Sequence, residues 1–227
     1  MVNHAPSTPG PAPPPPGPVD AIVLGASAGG VDALLAILCA LPSSFMLPMA
    51  AVVHIPCDKP SLLVEVLGAR ARIVVREACD KDRLLPGLVI APPDYHLLLD
   101  VDGGGLHLAR AQDVHLALSN DALVNYSRPS IDVLFQSAAE VFGSRVAGIV
   151  LTGANDDGAR GLSAIKERGG PCAVQSPDEA SARRMPEAAV ASAQPQFVAP
   201  LNGIIQWIIA LDAHRAGDTE ATAFHGR

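Results

Sequence analysis

Aromatic side chains are scarce in this 227-residue chain: one Trp, two Tyr and five Phe. So few rings leave little with which to line a deep apolar pocket. Charge is sparse as well. Only 17% of residues are charged and the formal net charge is −7, so the basic footprint of a nucleic-acid binder is missing. No run of about 18 apolar residues occurs, and no charged segment followed by an apolar one opens the chain. Neither a transmembrane span, with direct membrane insertion, nor a secretory signal is therefore expected. The four cysteines, Cys39, Cys57, Cys79 and Cys172, show no paired spacing. They read as buried or free thiols of a reducing compartment, which argues against a structural zinc and for a cytoplasmic location.

What the chain does have is apolar residue, 49% of the total. That is enough for one sizeable α/β domain with a large core and ragged ends. Residues 1–18 hold eight of the 21 prolines. Such a composition cannot pack, so this Pro-rich tail is expected to be disordered, a tether or a proline-recognition ligand. A second polar tail is expected over 215–227, frayed, which leaves 19–214 as the folded domain.

Within that domain strands and helices alternate. Strands are expected at 21–25, 49–54, 72–76, 88–91, 95–101, 146–152 and 171–175. Helices are expected at 30–41, 60–69, 129–142, 159–168, 186–192 and 201–214. The alternating stretch 106–118 reads as a hairpin partner for the strands around Pro92-Pro93-Asp94. Strand–helix alternation implies right-handed crossovers. The expected fold is α/β: a doubly wound, mainly parallel sheet flanked by helices in a Rossmann-like three-layer arrangement, with an inserted antiparallel β-hairpin.

Three short polar motifs each close an apolar strand-like run. Gly25-Ala26-Ser27-Ala28-Gly29-Gly30 follows the first strand, His54 ends the second, and Asn155-Asp156-Asp157-Gly158 follows Val146–Thr152. A serine is a poor nucleophile at neutral pH and needs a base with a third group to orient it. Groups at the carboxyl ends of strands in an open α/β sheet converge on one crevice. A hydrolase is thus the first reading.

Each motif has other readings. Gly25-Ala26-Ser27-Ala28-Gly29 fits the G-x-S-x-G nucleophile elbow, but Ser27 also suits a helix N-cap, and a phosphate cradle stays open. His54 suits a core or turn position as well as a base. Asn-Asp-Asp-Gly is turn chemistry, and an aspartate also suits the start of helix 159–168. The order Ser27, His54, Asp157 differs from that of the α/β-hydrolases. His96 reads as packing beneath the hairpin rather than as the base. Arg128 reads as the anchor of a loop through a structural ion pair, or as a contact for an acidic partner surface.

The residues also match a family. The chain resembles the catalytic domain of the chemotaxis protein-glutamate methylesterases (CheB-type). The likeness rests on Gly25–Gly30, Val53-His54-Ile55-Pro56, Leu85-Pro86-Gly87 with Ile90-Ala91-Pro92, and Tyr95-His96-Leu97. It continues through Arg128-Pro129-Ser130-Ile131-Asp132-Val133-Leu134-Phe135, Leu151-Thr152-Gly153 with Asp157-Gly158, and Met185-Pro186. The resemblance implies hydrolysis of glutamyl methyl esters on methylated chemoreceptor cytoplasmic helices, with deamidation of receptor glutamines in some members. It implies Ser27 as nucleophile, His54 as general base and then acid, and Asp157, the aspartate before the glycine, as the group that orients the imidazole. Backbone N–H groups of Ala28 and Ala154 are the candidate oxyanion donors, and no metal or organic cofactor is implied.

The chain also departs from the family. No receiver domain fits before residue 20, so a stand-alone enzyme is expected, with a separate receiver or methyltransferase protein as a possible controlling partner. Ala28 replaces a frequent threonine, Val53 a frequent glutamine, and Cys57–Leu63 lacks a usual aromatic and arginine. Two other functions compete with the methylesterase: a non-catalytic signalling or scaffold module of the same fold, and an esterase for small molecules.

Overall fold

The computed structural model describes residues 17–55, 62–101 and 111–224, the last ten of these as backbone only. In chain order the elements are β1 (Ala21–Ala26), α1 (Gly30–Ala40), β2 (Pro48–Val53), α2 (Leu63–Gly68), β3 (Val75–Glu77) and β4 (Gly87–Ile90). Next come β5 (His96–Val101), β6 (Val114–Ser119), α3 (Ile131–Phe142), β7 (Val146–Val150) and α4 (Ala159–Glu167). The chain ends with β8 (Cys172–Gln175), α5 (Arg184–Ala193), β9 (Phe197–Ala199) and α6 (Leu201–Phe224).

Seven strands form one parallel sheet in the order β3-β4-β2-β1-β7-β8-β9. A parallel sheet is covered on both faces, which is why β1, β2 and β7 are continuous apolar runs buried throughout. Side-chain alternation divides the core in two. Ile22, Leu24, Met49, Ala51 and Val53 pack with residues of α1, α2 and α6. Ala21, Val23, Ala50 and Val52 pack with residues of α3, α4 and α5. The result is the expected doubly wound three-layer fold. The antiparallel insert is there too: β5 and β6 pair in a separate two-stranded sheet. It is tied to α3 by Leu99 N–H donating to Ser137 Oγ at 3.1 Å.

Some expectations need revision. β9 was not foreseen, because three residues after Gln194-Pro195-Gln196 are too few to show a period. β3 starts at Val75 rather than at 72. α6 continues past the expected end at 214 as far as Phe224. Its alanine-rich continuation holds good helix formers, and one glycine, Gly217, does not end the run. Part of the expected C-terminal tail is therefore helical. Residues 1–16 and 225–227, the start of the expected 60–69 helix and the first part of the 106–118 stretch lie outside the described residues.

The order of strands fixes where a site can form. The chain leaves β1 for β2 on one side and returns to β7 on the other, so β1 and β7 flank the topological switch point. Their carboxyl ends open a crevice there.

Candidate functional site

Register carries the first two motifs together. Ala26 of β1 lies opposite Val53 of β2, and the next backbone bond runs from His54 N–H to the Ala26 carbonyl at 3.1 Å. On the other side Leu151 N–H reaches the Gly25 carbonyl and Ser27 N–H reaches the Thr152 carbonyl, both at 2.9 Å. Ser27 therefore sits between the ends of β2 and β7. The turn that follows needs a glycine: Gly29 has φ +78°, and a Cβ there would lie 2.7 Å from Ser181 Cβ. The Ser27 hydroxyl makes no hydrogen bond to His54 in this structure, a contact that commonly tightens only in the loaded enzyme.

His54 and Asp157 meet directly. His54 Nε2 is 3.0 Å from Asp157 Oδ2, and the Asp157 side chain is 0% exposed. A buried carboxylate must be surrounded by donors, and five more supply it. Ser130 Oγ (2.8 Å), Asn125 Nδ2 (3.1 Å), Asp132 N–H (3.1 Å) and the N–H of Gly158 (3.1 Å) reach Oδ1, while Ile131 N–H (2.7 Å) reaches Oδ2.

Two of those donors are the first N–H groups of α3. Asp157 thus caps a helix that has no side-chain cap of its own, at the positive end of its dipole. The favour is returned. Asp132, in the first turn of α3, accepts the N–H of Gly158 at 3.0 Å and of Gly161 at 2.7 Å, and so caps α4. Asn125 Nδ2 bridges both carboxylates, 2.9 Å from Asp132 Oδ2. The two helix starts are locked to each other around the candidate orienting residue.

The electrostatics divide the two acids. Burial pushes the Asp157 carboxyl upward, but the hydrogen bonds from His54, Ile131, Asp132 and Ser130 outweigh it and hold the group below the usual carboxylate range. Asp132 goes the other way: burial raises it, and the nearby Asp157 charge adds to that, against the bonds from Gly161, Asn125 and Gly158. Asp157 is the stable anion of the pair.

Its ionisation decides the histidine tautomer. Every other contact of Asp157 is a donor, so His54 Nε2 must present an N–H to it. The lone pair of the neutral ring is then on Nδ1, the reverse of the usual triad assignment. Asn155 Nδ2 lies 3.4 Å from that nitrogen, while Asn155 Oδ1 accepts Asp157 N–H at 3.2 Å. Beside it opens a groove of about 380 Å³ lined by Asn125, Tyr126, Ala154, Asn155, Asp156 and Arg184. Tyr126, 98% exposed, stands at its rim.

A serine between two strand ends and a histidine against a buried aspartate thus lie at the carboxyl end of the sheet, with an open polar groove beside them. The CheB methylesterase family model matches residues 22–208. The chain belongs to the CheB methylesterase family. It is 40% identical over 194 residues to a Leptospira interrogans protein provisionally named a protein-glutamate methylesterase/protein-glutamine glutaminase, covering 85% of this chain and 95% of that one. It is 37% identical over 190 residues to protein-glutamate methylesterase/protein-glutamine glutaminase 1 of Carboxydothermus hydrogenoformans, covering 83% of this chain and 54% of the relative. The crystal structure of the Thermotoga maritima CheB methylesterase catalytic domain superposes with a TM-score of 0.77 at 29% identity, over 85% of this chain and 98% of that one.

Within the CheB methylesterase fold the remaining sequence candidates separate cleanly. Asp156, next to the buried Asp157, is exposed and paired with Arg184 through two bonds of 2.6 and 2.8 Å. Arg184 holds its carboxyl below the usual range. His96 is buried, with Nε2 3.1 Å from the Ala122 carbonyl and Nδ1 accepting Ser130 N–H at 3.1 Å. Arg128 pairs with Asp94 at 2.7 Å and donates to the carbonyls of Asn120 and Asp121, so it anchors the loop. Burial pushes the Cys172 thiol up to about 12, which leaves it inert. Among the described residues no group of three or more His, Cys, Asp or Glu could hold a metal ion. No helix among them is long and apolar enough to cross a membrane.

Asn125 was not singled out from the sequence, and Ser130, Asp132 and Thr152 stand there only as letters of the family motifs, with no role assigned. Asp132 lay in plain view two residues after Ser130, but its partners, Gly158 and Gly161, are set by tertiary packing. No local signal pairs them.

Proposed function

We propose that this chain removes methyl groups from esterified glutamate side chains on the cytoplasmic helices of methylated chemoreceptors, working in the cytoplasm with Ser27 as nucleophile. Ser27 Oγ attacks the ester carbonyl carbon and passes its proton to His54 Nδ1. His54 Nε2 keeps its proton and its bond to Asp157 throughout, so the aspartate orients the ring and steadies the imidazolium. The tetrahedral oxyanion is held by the N–H groups of Ala28 and Ala154, neither of which has an acceptor among the described residues. His54 then returns the proton to the methoxy oxygen and methanol leaves. Water, deprotonated by His54, cleaves the glutamyl ester on Ser27 and restores the serine and a free carboxyl. The same steps on a glutamine side chain would release ammonia.

The observation that carries this reading is the His54–Asp157 pair at the carboxyl end of the strand beside Ser27. The test is methanol release from methylated chemoreceptor cytoplasmic fragments. The wild-type chain should release it, and Ser27→Ala should lose on the order of 10⁴-fold or more while keeping its fold. Release unaffected by Ser27→Ala removes that serine from the mechanism. No release by the wild type, with Ser27 unlabelled by a phosphonate probe, points to a non-catalytic signalling module.

A further inference from the structure

The oxyanion donor proposed at Ala28 is aimed by the peptide that carries it, and that peptide is held from below by one buried side chain. Thr152 is only 1% exposed. Its hydroxyl donates to the Ala28 carbonyl at 2.8 Å, with the Ala182 carbonyl farther off at 3.3 Å, and accepts Ala182 N–H at 2.8 Å. Its backbone is spoken for as well: Thr152 N–H donates to Gln175 Oε1 at 2.9 Å, and its carbonyl accepts Ser27 N–H at 2.9 Å.

These bonds fall on successive peptides of the nucleophile turn. The Ser27 N–H bond fixes the plane before Ser27, and the Thr152 hydroxyl fixes the plane after Ala28. Between them lies the peptide whose carbonyl, that of Ser27, accepts Gly30 N–H at 2.8 Å. The N–H of that peptide belongs to Ala28. In a trans peptide it points opposite to the carbonyl, and Ala28 is exposed. With three successive planes pinned, the Ala28 N–H has one direction left, into the crevice.

We propose that Thr152 is a positioning residue for the reaction, its hydroxyl holding the nucleophile turn so that the Ala28 N–H meets the oxyanion. The proposal rests on the methylesterase reading above. A donor aimed at a developing charge acts on the transition state and not on the bound ester, so its loss lowers kcat and leaves KM in place.

The experiment compares Thr152→Val with Thr152→Ser on methylated receptor fragments, with wild type and Ser27→Ala as controls. Valine keeps the branched shape and removes the hydroxyl. Thr152→Val should lose on the order of 10²-fold in kcat at unchanged KM, and Thr152→Ser should stay within about 3-fold of wild type. A residue that merely stabilised the fold would lower the melting temperature of Thr152→Val without changing kcat per folded molecule. If Thr152→Val does not yield folded protein, Thr152→Cys, whose thiol donates weakly, takes its place against Thr152→Ser. A valine or cysteine variant with wild-type kcat overturns the proposal, as does a serine variant as impaired as either. An inactive wild type would instead overturn the methylesterase reading on which the proposal rests.

Discussion

Two histidines, one after β2 at the crevice and one opening β5 of the hairpin, show how the same side chain comes to opposite ends. Both present an Nε2–H to an acceptor: His96 to the Ala122 carbonyl, His54 to Asp157. They differ at the other nitrogen. In the hairpin region His96 Nδ1 is filled by the fixed backbone N–H of Ser130, and the ring is buried. At the crevice His54 Nδ1 has, among the described residues, the Asn155 amide at 3.4 Å as its hydrogen-bond partner, Asn155 lines an open groove, and the His54 side chain is 15% exposed. A base needs a lone pair that can be given up to a substrate proton. In the hairpin region both ring nitrogens of His96 are spent on holding the loop, whereas at the crevice Nδ1 of His54 is held only by that long contact.

That comparison can be broken at its strongest point first. Asp157→Asn removes the anion that fixes the His54 tautomer, and methyl-ester hydrolysis should fall on the order of 10⁴-fold, whereas Asp156→Asn, which loses only an exposed pair with Arg184, should stay within about 3-fold. Equal losses in kcat would mean that the buried aspartate does not orient the base.

The two histidines should then separate in kind. His54→Ala should keep its stability and lose hydrolysis. His96→Ala leaves the Ser130 N–H and the Ala122 carbonyl without their ring partner, so it should lose about 1–3 kcal/mol of stability with kcat retained by the folded fraction. Urea unfolding beside steady-state kinetics checks both, and a stable but inactive His96→Ala would erase the distinction.

The smallest expected effect concerns acid. Asp157 is held below the ordinary aspartate value in the fold, so as pH falls the unfolded chain binds a proton before the native one does. The stability it contributes is present above the ordinary value and is lost as pH falls through the native one. Asp132 is raised, so its contribution runs the other way and fades as pH climbs from the ordinary value through its native one. Urea midpoints measured from pH 6 down to pH 3 should therefore fall less steeply in Asp157→Asn than in the wild type. Parallel curves would mean that Asp157 is not the more acidic member of the pair.

Much of this was legible in one dimension. The apolar runs of β1, β2 and β7 announce strands covered on both faces, and the polar motifs that end them announce a crevice, because both follow from local patterning. The reciprocal capping was not legible. Ser130 and Gly158 look like ordinary helix starts, yet neither helix is capped by its own side chain: the carboxylates that do the work are Asp157, in the turn before α4, for α3 and Asp132, in α3, for α4. The short β9 and the continuation of α6 escaped for a simpler reason, since three residues show no period and an alanine-rich polar tail looks alike whether coiled or helical.

The sequence by itself determined the alternation of elements, the parallel sheet and the residue types at its rim, because period, turn chemistry and apolar content act over a few neighbouring residues. Only the tertiary structure decided which aspartate is buried, which nitrogen of His54 meets it, and which carboxylate caps which helix. Those outcomes depend on groups far apart in the chain, such as Asn125, Asp132 and Asp157, that meet only when the sheet and the two helix starts close around them.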